Sequence, residues 1–222
     1  PTDPFRSPRL LYRAVHTPSD NALFQAINDD RIGWQNSNAA NIKLPNTKDA
    51  SEFQRHVAEV YLLGAVICLM PDLPTESAEE AKSEKREGVR EGVGEEARLT
   101  QKWGTPIGQV HLKNLPNNMV HHRFTEISID ILPAYQGRGY GSEAINWVLD
   151  YAFRRAGLHR VAIRAFEWNV GAVRLYERLG FKVEGRDRET FWHEGRWWDG
   201  VSMGMLDREW WEMQKEDNVR VD

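Results

Sequence analysis

A strand, a glycine-rich turn and a helix follow one another without a break from Thr125 to Gly157, and this unit restricts the folds open to the chain. From Thr125 to Leu132 apolar and polar residues alternate, with Ile127, Ile129 and Ile131 on one side and Glu126, Ser128 and Asp130 on the other. That is the period of a strand with one buried face. Pro133 ends it, because proline has no N–H for a ladder. Gln136-Gly137-Arg138-Gly139-Tyr140-Gly141 then sets glycines between bulkier residues, and Ser142 to Gly157 carries Ile145, Val148, Leu149 and Ala152 at helical spacing. Such glycines leave backbone N–H groups open, and the helix adds its own unpaired N–H groups and positive dipole end. The unit predicts a cradle for a diphosphate.

Two nucleotide readings of that cradle fail on spacing. A dinucleotide fingerprint needs G-x-G-x-x-G, and here Ser142 follows Gly141 one position out of step. An NTPase phosphate loop ends in Gly-Lys-Ser/Thr, and this loop holds no lysine.

A second strand–helix unit comes next. Leu158 to Phe166 is strand-like, and Asn169 can cap a helix whose apolar face is Ala172, Leu175, Tyr176 and Leu179. Gly180 supplies the left-handed stop, with Phe181 positioned for the hydrophobic contact that accompanies it.

Together, QGRGYG and Asn169-Val-Gly-Ala-Val-Arg-Leu-Tyr176-Glu-Arg-Leu-Gly-Phe181 resemble the GNAT superfamily of acyl-CoA-dependent N-acyltransferases, whose phosphate loop reads Gln/Arg-x-x-Gly-x-Gly/Ala. The text from Val183 through Phe191, the His193-Glu194-Gly195-Arg196 turn and Asp199 to Met205 looks like the RimJ/RimL-type branch. That branch includes protein N-terminal alanine acetyltransferases and relatives acting on polyamines. The resemblance runs from about Glu126 to Trp210, while the first half matches in element order alone. It implies an α/β (α+β) GNAT fold: a mixed, mostly antiparallel sheet, splayed in the middle between the strands at Ser128 and Val161 and flanked by helices.

Composition fits such an enzyme. The 222 residues, 41% of them hydrophobic, suffice for a sizeable core. A net charge of -4 gives no electrostatic case for nucleic acid. Cys68 is the single cysteine, which excludes an intrachain disulfide and fits a reducing compartment; within Gly64 to Met70 it reads as a small buried hydrophobe. No apolar run reaches the roughly 20 residues of a membrane helix. The expectation is a cytoplasmic protein, with nuclear entry left open, as monomer or homodimer.

In the first half, Arg9 to Val15 reads as a strand, and Ser19 or Asp20 can cap a helix through Leu23, Phe24 and Ile27. Asp29 to Lys48 is turn-rich, Asn46 or Thr47 caps a helix over Asp49 to Val60, and the run to Met70 is the next strand. The segment 74–102 mixes many glutamates with lysines and arginines and has no aromatic residue. It reads as a charged loop or helical arm inserted into a single domain spanning 1–222. Thr105 to Lys113 resumes the sheet.

Acyl transfer requires a neutral amine, stabilisation of the developing oxyanion and a proton or hydrogen bond for the leaving thiolate. The resemblance assigns acetyl-CoA as co-substrate, its pantetheine arm held by the strand backbone at Ile129 and Ile131. Its pyrophosphate falls to Gln136, Gly137, Arg138, Gly139, Tyr140, Gly141 and Ser142. Asn169 reads both as helix cap and as a coenzyme contact. Tyr176 is the acid for the sulfur, or else one more member of its helix's apolar face. For the base, the resemblance favours Glu126, acting directly or through water; His111 and His122 are alternatives at neutral pH. No metal is expected, since adjacent His121 and His122 lack a spaced cluster.

The aromatic residues Phe191, Trp192, Trp197, Trp198, Trp210 and Trp211 either line an acceptor site or pack on the sheet. The acceptor is a primary amine of a protein N-terminus, a polyamine or another small amine, attacked directly in a ternary complex. A rival from another class is a non-catalytic acyl-CoA-binding regulatory module that kept the fold.

Overall fold

In the computed structural model, residues 3–70 and 102–219 are described. The strands are β1 (Leu10–Arg13), β2 (Leu63–Leu69), β3 (Thr105–Leu112), β4 (Phe124–Ile131), β5 (Arg160–Phe166), β6 (Lys182–His193) and β7 (Arg196–Leu206). They form one seven-stranded sheet in the order β1-β2-β3-β4-β5-β7-β6. Every neighbouring pair is antiparallel except β4 and β5, which run parallel. A parallel pair needs a crossover, and the helix after the glycine turn supplies it.

The helices are α1 (Asn21–Asp29), α2 (Arg31–Ser37), α3 (Thr47–Arg55), α4 (Tyr140–Asp150), α5 (Val170–Arg178) and α6 (Asp207–Val219). Wider π-type turns extend α3 over His56–Val60 and α4 over Tyr151–Arg155. The apolar face of α4, with Ala144, Ile145, Val148 and Leu149, is buried on one side of the sheet among Leu10, Ile67, Ile107 and Ile127. Tyr12 stacks on Trp147 there at 3.8 Å. On the other side Leu23 and Phe24 of α1 and Val57 cover Val66 and Cys68. Cys68 is buried, and burial pushes its thiol up to about 11, so it stays protonated.

Local chemistry explains most boundaries. Asn46 caps α3 by accepting the Asp49 N–H. The stop of α5 is complete: Gly180 at φ +91 lets its own N–H reach the Glu177 carbonyl and the Phe181 N–H the Tyr176 carbonyl, and the Phe181 ring sits 6.2 Å from that of Tyr176. The β6–β7 hairpin turns on Glu194 and Gly195, both at positive φ, as a two-residue turn matched to strand twist requires.

Three expectations change. The turn-rich stretch after Asp29 contains α2, because Asp30 accepts the Gly33 N–H and starts a helix whose glycine and asparagine had masked the period. Asp20 precedes α1 but does not cap it. Its carboxylate instead takes both Nη groups of Arg13 at 2.7 Å and the His16 N–H at 2.7 Å, since a buried arginine outcompetes a backbone amide. The helix after the glycine turn begins at Tyr140 rather than Ser142, so Gly141 and Ser142 lie in its first turn. The segment expected as an inserted charged arm lies, apart from Lys102, outside the described residues.

Candidate functional site

The sheet opens where β4 leaves β5. The two strands pair only at Phe124–Arg160, Thr125–Val161 and Glu126–Ala162. Beyond that point β4 bonds to β3 alone, in a register fixed by the Lys113 N–H on Glu126 O at 3.0 Å and the Leu132 N–H on Ile107 O at 2.9 Å. In an antiparallel ladder alternate residues aim their N–H and C=O the same way. Even-numbered residues therefore face β3, and Ile127, Ile129 and Ile131 present their backbone groups to the gap. The Ile131 carbonyl is already taken by the Gln136 side-chain amide at 2.8 Å. An extended chain entering the gap meets both polar groups of Ile129 and the N–H of Ile131.

At the mouth of the gap stands the glycine turn. Gly137 and Gly139 adopt φ +73 and +82, conformations that leave successive N–H groups on one side. Among the described residues no acceptor takes the N–H groups of Gly137, Arg138, Gly139, Tyr140, Gly141 or Ser142. Gly141 has ordinary helical φ, yet a Cβ there would meet nothing within 4 Å. Alanine would favour the helix by about 1 kcal/mol, so the bare backbone is explained by space kept for something outside the chain. These N–H groups and this space fit a pyrophosphate. Gln136 and Arg138 are exposed at the rim, Ser142 is half-buried, and Tyr140 turns its ring into the core.

Across the gap, α5 carries Tyr176, 9% exposed and in contact with the core. Burial, then the charge of Asp130, pushes its phenol up to about 12, so it is a neutral donor at ordinary pH. Asn169 caps α5 by accepting the Ala172 N–H, and its amide donates to Asn36 O of α2 at 3.4 Å. The cap is thus in place, and the amide N–H is directed at α2.

The carboxylates of β4 divide. Glu126 is bonded by Lys113 Nζ at 2.5 Å and by Arg164 at 3.0 Å. Burial alone would raise its carboxyl, but these two cations outweigh it and hold the group below its ordinary value. Asp130, two steps along the same face, has no cation among the described residues. Burial raises it, the Gln109 Nε2–H bond at 2.7 Å opposes that, and the charge of Asp30 adds to it. Because Gln109 gives its amide N–H to Asp130, its carbonyl is left to accept His111 Nδ1–H at 2.9 Å. His111 is 2% exposed and stacks on Tyr61 at 4.0 Å, and burial with the charge of Lys113 depresses it to about 3. It is a neutral, fully ordered donor. The His122 ring lies tilted against that of His121 on an exposed turn, away from this network.

The aromatic end is packed on itself. Trp168 lies face to face with Phe166 at 4.3 Å and with His193 at 4.2 Å, with Phe191 and Trp198 on edge. Trp192 and Trp197 meet at the exposed hairpin tip. Among the described residues no three His, Cys, Asp or Glu side chains converge as a metal site, and no helix is long and apolar enough to cross a membrane.

Sequence reasoning missed Asp130, Gln109 and Asp30 as members of the cleft. The alternation of β4 put Asp130 on the same face as Glu126, but which carboxylate meets a cation depends on β3 and β5. Arg9, which touches the glycine turn from the bend just before β1, carried no local signal at all.

Comparison with known proteins gives the same architecture. The family model described as the acetyltransferase (GNAT) family matches residues 69–181. Spermidine N(1)-acetyltransferase of Vibrio cholerae is 40% identical over 85 residues, 38% of this chain and 49% of that protein. The chain spans about half the length of the curated relatives it matches. Among solved structures, a GNAT-family acetyltransferase from Bacillus anthracis superposes with a TM-score of 0.67 at 18% identity, covering 92% of this chain and 98% of the other. The Vibrio cholerae spermidine N-acetyltransferase in complex with CoA and spermine does so with a TM-score of 0.66 at 23% identity, covering 91% and 98%.

Proposed function

Because the chain belongs to the GNAT acetyltransferase family, we propose that it transfers an acetyl group from acetyl-CoA to a primary amine, by direct attack in a ternary complex. The observation that carries this reading is the run of open N–H groups from Gly137 to Ser142, set at the end of the gap that β4 leaves beside β5. When bound, acetyl-CoA supplies the activated acyl group. Ile129 and Ile131 hold the extended arm by strand-like backbone bonds, and Gly137 to Ser142 hold the pyrophosphate with the N-terminus of α4 behind them. Arg138 at the rim adds a cation.

The reaction forms a C–N bond and breaks a C–S bond, so one proton must leave nitrogen and sulfur must be stabilised as it departs. Asp130 is the better acceptor of that proton. Among the described residues it faces no cation, and its raised pKa makes it a stronger base than Glu126, which Lys113 and Arg164 hold ionised but weakly basic. Tyr176 Oη–H donates to the sulfur. Asn169 acts through the start of α5, which sets where Tyr176 sits. The Cys68 thiol is buried and protonated, which argues against an acyl-enzyme route.

For the acceptor, the acidic pair Asp30 and Asp130 favours a cationic amine, and the likeness to a spermidine acetyltransferase supports a polyamine among the candidates. A protein N-terminus is the second reading, favoured by the RimJ/RimL-like text from Val183 to Met205. We read the chain as one domain: β2 and β3, which bracket the charged segment, are direct neighbours, with Leu69 paired to Thr105.

Two measurements test the proposal. Calorimetry with CoA tests donor binding, and thiol release is followed over spermidine, spermine, small monoamines and short peptides with free N-termini. CoA binding with turnover on one amine class is the expected result. Binding without turnover on any of them supports a regulatory module instead, and absence of CoA binding removes both readings.

A further inference from the structure

Arg9 lies just before the first strand, far in sequence from the glycine turn, yet its side chain bonds to that turn. Its Nε donates to Glu143 Oε2 at 2.7 Å, its backbone N–H to Glu143 Oε1 at 2.7 Å, and its Nη1 to the Arg138 carbonyl at 3.0 Å. The guanidinium carbon stands 4.7 Å above the Tyr140 ring. Ser7 Oγ gives its proton to Glu143 at 2.6 Å and so accepts from Tyr12. The Arg9 carbonyl is itself tied down by the Met70 N–H at 3.1 Å. The anchor is therefore part of the sheet.

The peptide plane explains what this anchor does. In a trans peptide the carbonyl of one residue and the N–H of the next point in opposite directions. Holding the Arg138 carbonyl toward Arg9 turns the Gly139 N–H the other way, away from Arg9, where no acceptor among the described residues takes it. Glycine at 139 would let that peptide rotate at little cost, because glycine populates both signs of φ. The turn thus carries the freedom that its conformation needs but not the means of fixing it. Gly139 is matched to the anchor as well, since a Cβ there would lie 3.2 Å from Arg9 Nη2.

We propose that Arg9, seated on Glu143, is a positioning residue that holds the Arg138–Gly139 peptide with its N–H toward the pyrophosphate of the acyl donor. The proposal rests on the acyl-CoA reading of the site. It makes Arg9 specific for one part of the donor: the diphosphate feels it, and the pantetheine arm, held by β4, does not.

The test is calorimetric, with CoA and with pantetheine, which lacks the diphosphate, on wild type, Arg9→Gln and Arg9→Lys, each checked by thermal melting. The expected result for Arg9→Gln is a loss of CoA affinity of tenfold or more with pantetheine affinity within twofold of wild type. Arg9→Lys keeps a cation for Glu143 but cannot also reach the Arg138 carbonyl, so it should lose most of the same CoA affinity at an unchanged melting temperature. Should Arg9→Gln fail to melt cooperatively, Arg9→Lys decides. Unchanged CoA affinity in Arg9→Lys, or equal losses for CoA and pantetheine, overturns the proposal. Failure of the wild-type protein to bind CoA would instead remove the functional reading beneath it.

Discussion

The side-chain amide of Gln109 donates to the Asp130 carboxylate at 2.7 Å directly across the β3–β4 ladder, where the two residues are paired. This bond orders a carboxylate that meets no cation among the described residues. With Asp30 nearby and His111 behind Gln109, it defines a polar layer beneath the expected position of the amine.

Replacing Asp130 should separate it from Glu126. Asp130→Asn is expected to lower kcat by about 10²-fold or more, the usual range for a lost general base, while Glu126→Gln stays within a few-fold. The acid limb of kcat/KM reports the same group: activity falls as pH drops through a value above the ordinary Asp value of about 3.9. Asp30→Asn keeps the α2 cap and removes a like charge, so it should move that limb to lower pH. Equal losses in Asp130→Asn and Glu126→Gln would reject the assignment.

Tyr176→Phe removes a hydroxyl and leaves the ring beside Phe181. Stability should change by less than about 0.5 kcal/mol and CoA affinity should hold. The rate of thiol release should fall about tenfold or more. Full turnover in this variant would leave Tyr176 a core residue only.

Gly141→Ala sets stability against binding. The new methyl meets nothing in the protein, so the first turn of α4 should gain about 0.5 to 1 kcal/mol, read as a higher melting temperature. On the proposed reading the same methyl intrudes on the space assigned to the pyrophosphate, and CoA affinity should fall tenfold. A stabilised variant that binds CoA normally would show that the glycine serves no ligand.

His111 makes stability acid-sensitive. It is neutral in the fold, with its pKa depressed to about 3, and titrates near 6.5 when unfolded. Between those values the unfolded chain binds the extra proton, so stability is complete above about pH 6.5 and is lost on acidification toward pH 3. The slope is at most about 1.4 kcal/mol per pH unit. Denaturant melts of His111→Gln should show a shallower loss between pH 6.5 and 4. An identical slope would place the acid sensitivity elsewhere.

What could be read from the sequence was local. Alternation gave β4, the glycines gave the turn before α4, Asn169 and Gly180 delimited α5, and these short-range patterns, with the family resemblance they carry, sufficed for the fold. Helix α2 escaped because its period is short and interrupted by Gly33. Asp20 was misread as a cap because the cation that claims it, Arg13, lies on another element.

The same division runs through the site. A glycine turn ahead of a helix announces open N–H groups, because backbone conformation depends on near neighbours, and that much belongs to the sequence. The contrast between the cation-paired Glu126 and Asp130, the placement of Tyr176 within reach of Asp130's charge and the hold of Arg9 on Arg138 were decided by tertiary structure. Electrostatic environment and peptide orientation depend on groups brought together from the bend before β1 and from β3, β5 and α5, and no local pattern records their meeting.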